Sequence, residues 1–222
     1  MMALLSCAFK YTLDLVFPPV CAVCDGPLSG AALPVCPSGF DSLEILGGKR
    51  LCFRSGEYAF SEAVSVWNFC DKFQSLVHLL KYDNKRCIGK ELAARMCGLL
   101  DKKDFAGIDA LAPVPIHHTR KRERGYNQAE IIGEVLAGWL GKPMLPRLLR
   151  RLRSTGTQTK LKKEERAKNI SGAFKANGNA AGKSVLLVDD VLTTGSTVNE
   201  CAKVLRQAGA AEVRVLTAAR VV

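Results

Sequence analysis

The stretch Val185–Thr197 constrains the fold of this chain more than any other part of the sequence. It begins with an uninterrupted apolar run, Val185–Val188, which is typical of a strand buried on both faces of a parallel sheet. Two adjacent carboxylates, Asp189 and Asp190, follow at the carboxyl end of this predicted strand. Ligands of open parallel sheets collect at the carboxyl ends of the strands. The run therefore predicts both a fold class and the position of a binding site.

The residues after the two carboxylates form a Thr/Gly/Ser turn that leads into a predicted helix. Thr197 and Glu200 have the spacing of a capping box, so we expect the helix to begin at about Val198. A helix N-terminus presents unpaired backbone N–H groups and favours negative charge, which suits a phosphate monoester. The candidate phosphate-binding residues are Thr193, Thr194, Gly195, Ser196 and Thr197.

Asp189 and Asp190 suit a polyol beside that phosphate, because a carboxylate only accepts hydrogen bonds and hydroxyl groups donate them. A phosphate with vicinal hydroxyls describes a ribose 5-phosphate. An alternative is that a strand ends in an Asp that merely caps the next helix, which is common in α/β folds. Two adjacent Asp residues before several hydroxyl side chains are harder to explain in that way. We therefore predict a ribose 5-phosphate pocket with Asp189 and Asp190 as its candidate catalytic residues.

Predicted strands and helices alternate through most of the chain, which indicates an open parallel α/β sheet flanked by helices. Residues 56–222 are predicted to form this domain, and residues 1–55 a smaller cysteine-containing segment. The predicted elements are two short strands within Tyr58–Phe69, helices at Asp71–Lys81, Gly89–Leu100 and Tyr126–Leu140, a strand at Ala110–Ile116, and a final strand at Glu212–Val222.

The N-terminal segment combines a predicted amphipathic helix, Leu4–Val16, with a cysteine pattern that resembles a zinc finger. Its candidate ligands are Cys21, Cys24, Cys36 and Cys52, since a structural zinc site needs four. Gly39 stands where a second Cys-x-x-Cys pair would need a cysteine. Three interpretations remain open: an intact structural zinc site, a degenerate site that has lost its metal, and a redox pair at Cys21 and Cys24.

The formal net charge of +11 lies mostly in two segments. Nine basic and two acidic residues lie between Arg147 and Lys168, and four basic and one acidic residue lie between His117 and Arg124. Such focused charge predicts a polyanionic partner, either a pyrophosphate-bearing nucleotide precursor or a nucleic acid. A solvated basic surface is the alternative. Because Ser154–Thr157 interrupts the first segment, we expect that segment to be mobile or ordered by a partner.

The composition argues against secreted and membrane-spanning classes. No apolar run approaches the roughly 18 uncharged residues of a membrane span. Lys10 and Asp14 interrupt the N-terminal apolar stretch, which argues against a secretory signal. An odd number of cysteines, nine, does not fit a secreted disulfide scaffold. We expect a cytoplasmic protein.

Several segments together resemble the ComF family, phosphoribosyltransferase-like proteins linked to DNA uptake and use. Val185–Thr197 itself resembles the phosphoribosyl-pyrophosphate (PRPP) signature of type I phosphoribosyltransferases. The segments that carry the ComF resemblance are Phe17–Cys24, Leu79–Tyr82, Val114–Gln128, Thr157–Asn169 and Gly172–Phe174. They span nearly the whole chain, and the sequence departs from the family pattern at Gly39.

The resemblance implies a ligand and roles for further residues. PRPP, or a related ribose 5-phosphate compound, would be the ligand. A turn after Ile116 would approach its pyrophosphate, which would be neutralised by His117, Arg120, Arg122 and Arg124. A magnesium ion would bridge the pyrophosphate and the ribose hydroxyls.

Two functions are compatible with this resemblance. The first is an enzyme that transfers the phosphoribosyl group of PRPP to an unidentified acceptor. The second is a catalytically silent protein of the same fold that binds single-stranded nucleic acid. In either case DNA-uptake or recombination proteins would be the expected macromolecular partners.

Overall fold

The computed structural model describes residues 19–28, 33–46, 50–52, 58–153 and 170–222, with residues 50–52 described by their backbone alone. The predicted helix Leu4–Val16 and most of the basic segment Arg147–Lys168 lie outside the described residues. Among the helices that are described, none is long and apolar enough to cross a lipid bilayer.

The centre of the fold is a five-stranded sheet in the order β1-β2-β7-β6-β3. Its strands are β1 (Arg50–Cys52), β2 (Glu62–Asn68), β3 (Ala110–Pro113), β6 (Ser184–Leu192) and β7 (Glu212–Arg220). β2, β7, β6 and β3 run parallel, and β1 pairs with β2 in the antiparallel sense. A separate antiparallel pair is formed by β4 (Leu149–Arg151) and β5 (Phe174–Ala176). The predicted parallel α/β sheet is confirmed.

Helices cover both faces of the sheet. They are α1 (Pro37–Asp41), α2 (Asp71–Tyr82), α3 (Arg86–Leu99), α4 (His118–Arg124), α5 (Gln128–Leu140) and α6 (Ser196–Gln207), with a 3₁₀ turn at Lys102–Phe105. α2, α3 and α5 pack on one face together with Trp67, Leu186 and Leu216. α6 packs on the other face against Val185 and Leu187.

Burial on both faces explains the apolar run of β6. Leu186 and Val188 belong to the core under α2, α3 and α5, whereas Val185 and Leu187 belong to the core under α6. Side chains of a strand alternate between faces, so each face of β6 needs apolar residues and none of Val185–Val188 is exposed.

One prediction for local structure is wrong. The segment Tyr58–Phe69 contains one strand, β2, which pairs with β7, and not two short strands. After Ile116 the chain leads into the helix α4. α4 forms because His117 caps its first turn, accepting from Thr119 N–H at 3.4 Å, and because Gly125 ends it with a φ of 76°.

Candidate functional site

The carboxyl ends of four parallel strands bring the candidate site together at one edge of the sheet. Asn68 ends β2 and Arg220 ends β7, while Asp189 and Asp190 lie near the end of β6. His117 follows β3 after a short extended segment. Strands that run parallel end at the same edge, so these residues surround one region although they are far apart in sequence.

The two adjacent carboxylates are held in place by the backbone of their own strand. Asp190 N–H donates to Asp189 Oδ1 at 2.9 Å, and Val191 N–H donates to Asp190 Oδ1 at 3.0 Å. β6 continues beyond the predicted strand, through Leu192, because this stretch pairs with β7 as far as Arg220. The carboxylates therefore lie within a hydrogen-bonded strand, and this fixes their orientation.

Lys81 gives the two carboxylates opposite electrostatic properties. Its Nζ, at the end of α2, lies 2.5 Å from Asp190 Oδ2. Burial alone would raise the pKa of Asp190, but Lys81 outweighs it, and the pKa of that carboxyl is lowered. Burial, followed by the charge of Asp190, raises the pKa of Asp189 well above its ordinary value. Asp190 is thus held as a carboxylate, and Asp189 is the member that gains from a donor or cation.

The turn after β6 is shorter than the capping-box prediction implied, because the next helix begins earlier in the chain. α6 begins at Ser196, and its N-cap is Gly195, whose φ is 75°. The predicted pairing of Thr197 with Glu200 is wrong: Glu200 Oε1 instead accepts from Gly172 N–H at 2.7 Å. Thr194 Oγ1 and Ser196 Oγ are hydrogen-bonded at 2.9 Å. Gly195 contributes no capping side chain, so this hydroxyl-rich turn and helix N-terminus suit an anion.

A basic cavity of about 450 Å³ lies between the end of α2 and the helix α4. Its cationic lining consists of Lys81 together with three of the four predicted pyrophosphate residues, Arg120, Arg122 and Arg124. Tyr82 also lines the cavity. Lys81 contacts Asp190 and also lines the cavity, so it connects the carboxylates to the cations of α4.

His117, the fourth predicted pyrophosphate residue, has a different environment. It is buried and lies outside the lining of the basic cavity. Burial is the main cause that lowers the pKa of His117, and the neighbouring His118 and Arg151 lower it further. A neutral imidazole at pH 7 would donate a hydrogen bond from Nε2 but would not neutralise charge.

The structure places Arg151 near the site, whereas the sequence indicated it only as part of the basic segment Arg147–Lys168. It lies on β4, with its guanidinium 5.3 Å from the centre of the Phe174 ring. Burial and the nearby Arg120 lower the pKa of Arg151, whereas Asp189 raises it. Arg151 is therefore a cation within electrostatic range of both the acidic pair and α4.

A few buried side-chain atoms have no hydrogen-bond partner, and one of them, in Arg214 near the start of β7, lies away from this edge. Among the described residues they are Gln128 Nε2, Asp190 Oδ2, Arg214 Nε and Arg220 Nη1. Asp190 Oδ2 has the Lys81 ion pair and Arg214 pairs with Glu62 and Glu212. Gln128 Nε2 and Arg220 Nη1 have neither kind of partner. Buried donors of native proteins are nearly always paired, so these two indicate a ligand at this edge.

Sequence comparison gives the family. Competence protein F of Haemophilus influenzae is 33% identical over 171 residues, covering 74% of this chain and 75% of that protein. The chain belongs to the ComF family. DNA utilization protein YhgH of Salmonella typhi is 35% identical over 156 residues, covering 68% of this chain and 69% of that protein. This chain is therefore a phosphoribosyltransferase-like member of a family related to competence and DNA utilisation.

The ComF chain also matches the family model described as phosphoribosyl transferase domain over residues 140–221, which include the acidic pair and the turn of the site. Among solved structures it is similar to the glutamine PRPP amidotransferase of B. subtilis complexed with ADP and GMP. That similarity is 24% in sequence identity and 0.37 in TM-score, over 60% of this chain and 26% of the other.

The carboxylate pair of this ComF chain offers the ligand chemistry that magnesium prefers, since both side chains end in hard oxygen donors. One oxygen of Asp190 already contacts Lys81, and one oxygen of each Asp accepts a backbone N–H group. Asp189 therefore keeps more of its acceptor capacity for such a cation than Asp190 does.

Three of the four predicted metal-ligating cysteines form one cluster that could hold a metal ion. The Sγ atoms of Cys21, Cys24 and Cys36 all lie within 4.8 Å of one another. Cys36 N–H donates to Cys21 Sγ at 3.4 Å, and Gly39 N–H donates to Cys36 Sγ at 3.2 Å. Burial alone would raise the pKa of the Cys21 thiol, but donation from Cys36 and other backbone N–H groups lowers it from 9.0 to about 7.

Gly39 lies against this cluster and leaves no room for a side chain. A Cβ atom at residue 39 would lie 2.7 Å from Cys21 Sγ. The side chain of Cys52 lies outside the described residues. The backbone of Cys52 pairs with Glu62 at the start of β2, whereas Ile45 pairs with Trp67 near the other end of that strand. The donor set therefore fits a thiophilic ion through three thiolates, and no fourth ligand is found among the described side chains.

Proposed function

We propose that this chain binds PRPP with magnesium at the carboxyl edge of its sheet. The 5-phosphate would occupy the turn of Thr193–Thr197, and the ribose hydroxyls would donate to Asp189 and Asp190. The pyrophosphate would lie towards Arg120 and Arg122 of α4, whose guanidinium groups match phosphate oxygens. Magnesium would neutralise part of the pyrophosphate charge, as a hard cation held by oxygen ligands.

The observation that carries this proposal is the meeting of three different subsites at one edge. The hydroxyl-rich helix N-terminus directly follows the strand of the two carboxylates. Lys81 connects those carboxylates to a group of cations, because it contacts Asp190 and lines the basic cavity. A lone phosphate would need only the turn, and a simple polyanion would need only the cations. A sugar that carries phosphate groups at both ends uses all three.

We further propose that the site transfers the phosphoribosyl group. The bond between ribose C1 and the pyrophosphate oxygen would break, with both electrons leaving on pyrophosphate. A nucleophilic atom of the acceptor would form the new bond to C1 and lose its proton to solvent. The chain would contribute leaving-group stabilisation by the α4 cations and positioning of the ribose by the carboxylates, without a covalent nucleophile.

Calorimetric titration of the whole chain tests the binding proposal. With magnesium present, we expect PRPP to bind one-to-one and at least about tenfold more tightly than either ribose 5-phosphate or pyrophosphate, because each of these fills only part of the site. Equal affinity for PRPP and pyrophosphate would contradict the proposal, since it would mean that the ribose subsite contributes nothing.

Single-stranded nucleic acid is a second candidate ligand, favoured by the environment of Tyr82. This side chain is 62% exposed, although large aromatic residues are usually covered. The Arg124 guanidinium lies 5.3 Å from the centre of its ring and the His78 ring 4.9 Å away. An exposed ring among cations suits a stacked base whose backbone phosphates contact α4.

Replacing Tyr82 with Ala tests this second function, because stacking of a base requires the aromatic ring. We expect the Tyr82→Ala variant to bind a single-stranded oligonucleotide roughly 10-fold more weakly, since a base stacked on an aromatic ring contributes about 1–3 kcal/mol. Fluorescence anisotropy at several salt concentrations measures the affinity, and Tyr82→Phe, which keeps the ring, is the matched control. Unchanged affinity in Tyr82→Ala would remove this ring from the interface.

We also propose that Cys21, Cys24 and Cys36 bind zinc through their three thiolates. The Cys24→Ser variant should then bind zinc at least about tenfold more weakly, because one of the three thiolates is lost. Chelator competition measures the affinity, and Cys97→Ser, at a cysteine outside the cluster, is the control. Zinc-free protein after zinc-replete expression would favour the degenerate interpretation. Loss of zinc in Cys52→Ser would identify Cys52 as the fourth ligand.

A further inference from the structure

Arg220 is a buried cation that finds no partner among the described residues and none in the proposed PRPP subsites. It ends β7 and is only 8% exposed. Its Nη1 atom is buried and makes no hydrogen bond, and no ion pair to Arg220 occurs among the described residues. Arginine is almost never buried without a partner, because removing a guanidinium from water without compensation is unfavourable. A residue in this state is expected to have a ligand when the protein works.

The position of Arg220 places it beside the ribose subsite. In the register of the sheet, Arg220 lies between Leu192 of β6 and Asn68 of β2. Leu192 directly precedes the turn that is proposed to hold the 5-phosphate. Val221, which follows Arg220, donates its N–H to the Leu192 carbonyl at 3.0 Å. The carboxyl end of β7 is therefore fixed against the start of the turn.

The strand order also places Arg220 on the side of the ribose away from the pyrophosphate. β3 and α4, which carry the proposed pyrophosphate subsite, lie on one side of β6, whereas β7 and β2 lie on the other. A displacement at ribose C1 needs the incoming atom opposite the leaving oxygen. The acceptor would therefore approach from the β7 side, where the unpaired guanidinium lies.

We propose that Arg220 recognises the phosphoribosyl acceptor and that this acceptor carries an anionic oxygen group, a carboxylate or a phosphate. This inference rests on the proposed function, because it assumes that PRPP occupies the neighbouring subsites. A guanidinium only donates hydrogen bonds and matches planar or tetrahedral oxyanions in a bidentate manner. An anion would supply both the missing hydrogen bond and the missing counter-charge, whereas a neutral carbonyl would supply only the first.

Small aromatic probes test the charge preference directly. Benzoate, phenyl phosphate and benzamide would be titrated into the PRPP- and magnesium-saturated protein and followed by ligand-observed NMR. We expect one of the two anions to bind at least about tenfold more tightly than benzamide, and which of them does so identifies the group. Arg220→Met should abolish the preference and Arg220→Lys should keep part of it.

Thermal unfolding separates ligand recognition from a structural role. Arg220→Met should raise the melting temperature by roughly 2–4 °C, because a buried unpaired charge is removed. The matched control is Arg214→Met on the same strand, since Arg214 pairs with Glu62 at 3.3 Å and Glu212 at 3.4 Å; this variant should melt at a lower temperature.

The outcomes distinguish this inference from the proposed function. If the unmodified protein binds PRPP but does not discriminate between the anions and benzamide, the role of Arg220 is refuted and the PRPP pocket stands. If Arg220→Met melts well below the unmodified protein, the side chain is structural and the inference is overturned. If PRPP itself fails to bind, the proposed function falls, and titration of the same probes without PRPP still measures the charge preference at Arg220.

Discussion

Replacing both Asp189 and Asp190 with Asn is expected to weaken the binding of PRPP and magnesium by at least about 100-fold. Each hydrogen bond from a ribose hydroxyl to a carboxylate contributes about 1.5–3 kcal/mol, and the double variant weakens several of them at once. The amide keeps the shape of the side chain but removes the charge and replaces one acceptor by a donor. Calorimetry in excess magnesium measures the effect. The Asp101→Asn variant, on an exposed residue that caps the 3₁₀ turn, is the control.

Stability measurements on the single variants show whether such a loss comes from the site and not from unfolding. The pKa of Asp189 is raised in the folded chain, so its ionisation favours the unfolded state. That penalty is absent at low pH and grows as pH rises from the ordinary value of 3.8 through the folded pKa. Asp189→Asn should therefore be more stable than the unmodified chain at pH 7 and lose this advantage towards pH 4.

The Asp190→Asn variant should behave in the opposite way. Lys81 lowers the pKa of Asp190, so the carboxylate stabilises the fold above the ordinary pKa, and this contribution is lost as pH falls through the lowered value. Asp190→Asn should be less stable than the unmodified chain at pH 7 because Lys81 loses its counter-charge. Similar pH profiles for the two variants would contradict the assignment of Lys81 to Asp190.

Replacing Arg120 and Arg122 with Gln should weaken PRPP binding by about 10- to 100-fold and leave ribose 5-phosphate binding unchanged. Both guanidinium groups line the basic cavity, and hydrogen bonds to charged groups contribute about 1.5–3 kcal/mol each. Ribose 5-phosphate lacks the pyrophosphate that these residues are proposed to contact. The difference between the two ligands therefore assigns the effect to one end of the site.

Lys121 provides the matched control on the same helix. Its Nζ lies 2.8 Å from Glu130 Oε1, and Lys121 does not line the basic cavity. Lys121→Gln changes the net charge of α4 by one unit without touching the proposed subsite. Equal losses in Lys121→Gln and in a single Arg122→Gln variant would indicate long-range attraction and not direct contact with the pyrophosphate.

The sheet and its acidic pair were predictable because their signals lie in consecutive residues. The apolar run Val185–Val188 reflects burial on both faces, and Asp189 and Asp190 follow it directly. The capping box failed for a local reason: Gly195, with its positive φ, takes the N-cap position and moves the helix start to Ser196. The sequence shows which hydroxyl side chains lie in the turn, but it did not place the start of the helix correctly.

The residues that complete the site were not predictable, because tertiary contacts bring them there. Lys81 could be placed outside the apolar stripe of its helix, but its contact with Asp190 depends on how α2 packs on β6. Arg220 is one of two arginines in the final strand, and only its burial without a partner among the described residues distinguishes it. The cysteine spacing suggested four ligands, whereas the structure brings three together and places Gly39 beside them.

A crystal structure of the chain with PRPP and magnesium is the most direct test of the central claim. The expected result is the 5-phosphate in the turn of Thr193–Thr197, the ribose hydroxyls within hydrogen-bond distance of Asp189 and Asp190, and the pyrophosphate beside α4. PRPP bound elsewhere, or bound with its ribose directed away from both carboxylates, would contradict the assignment of this sheet edge as a PRPP site.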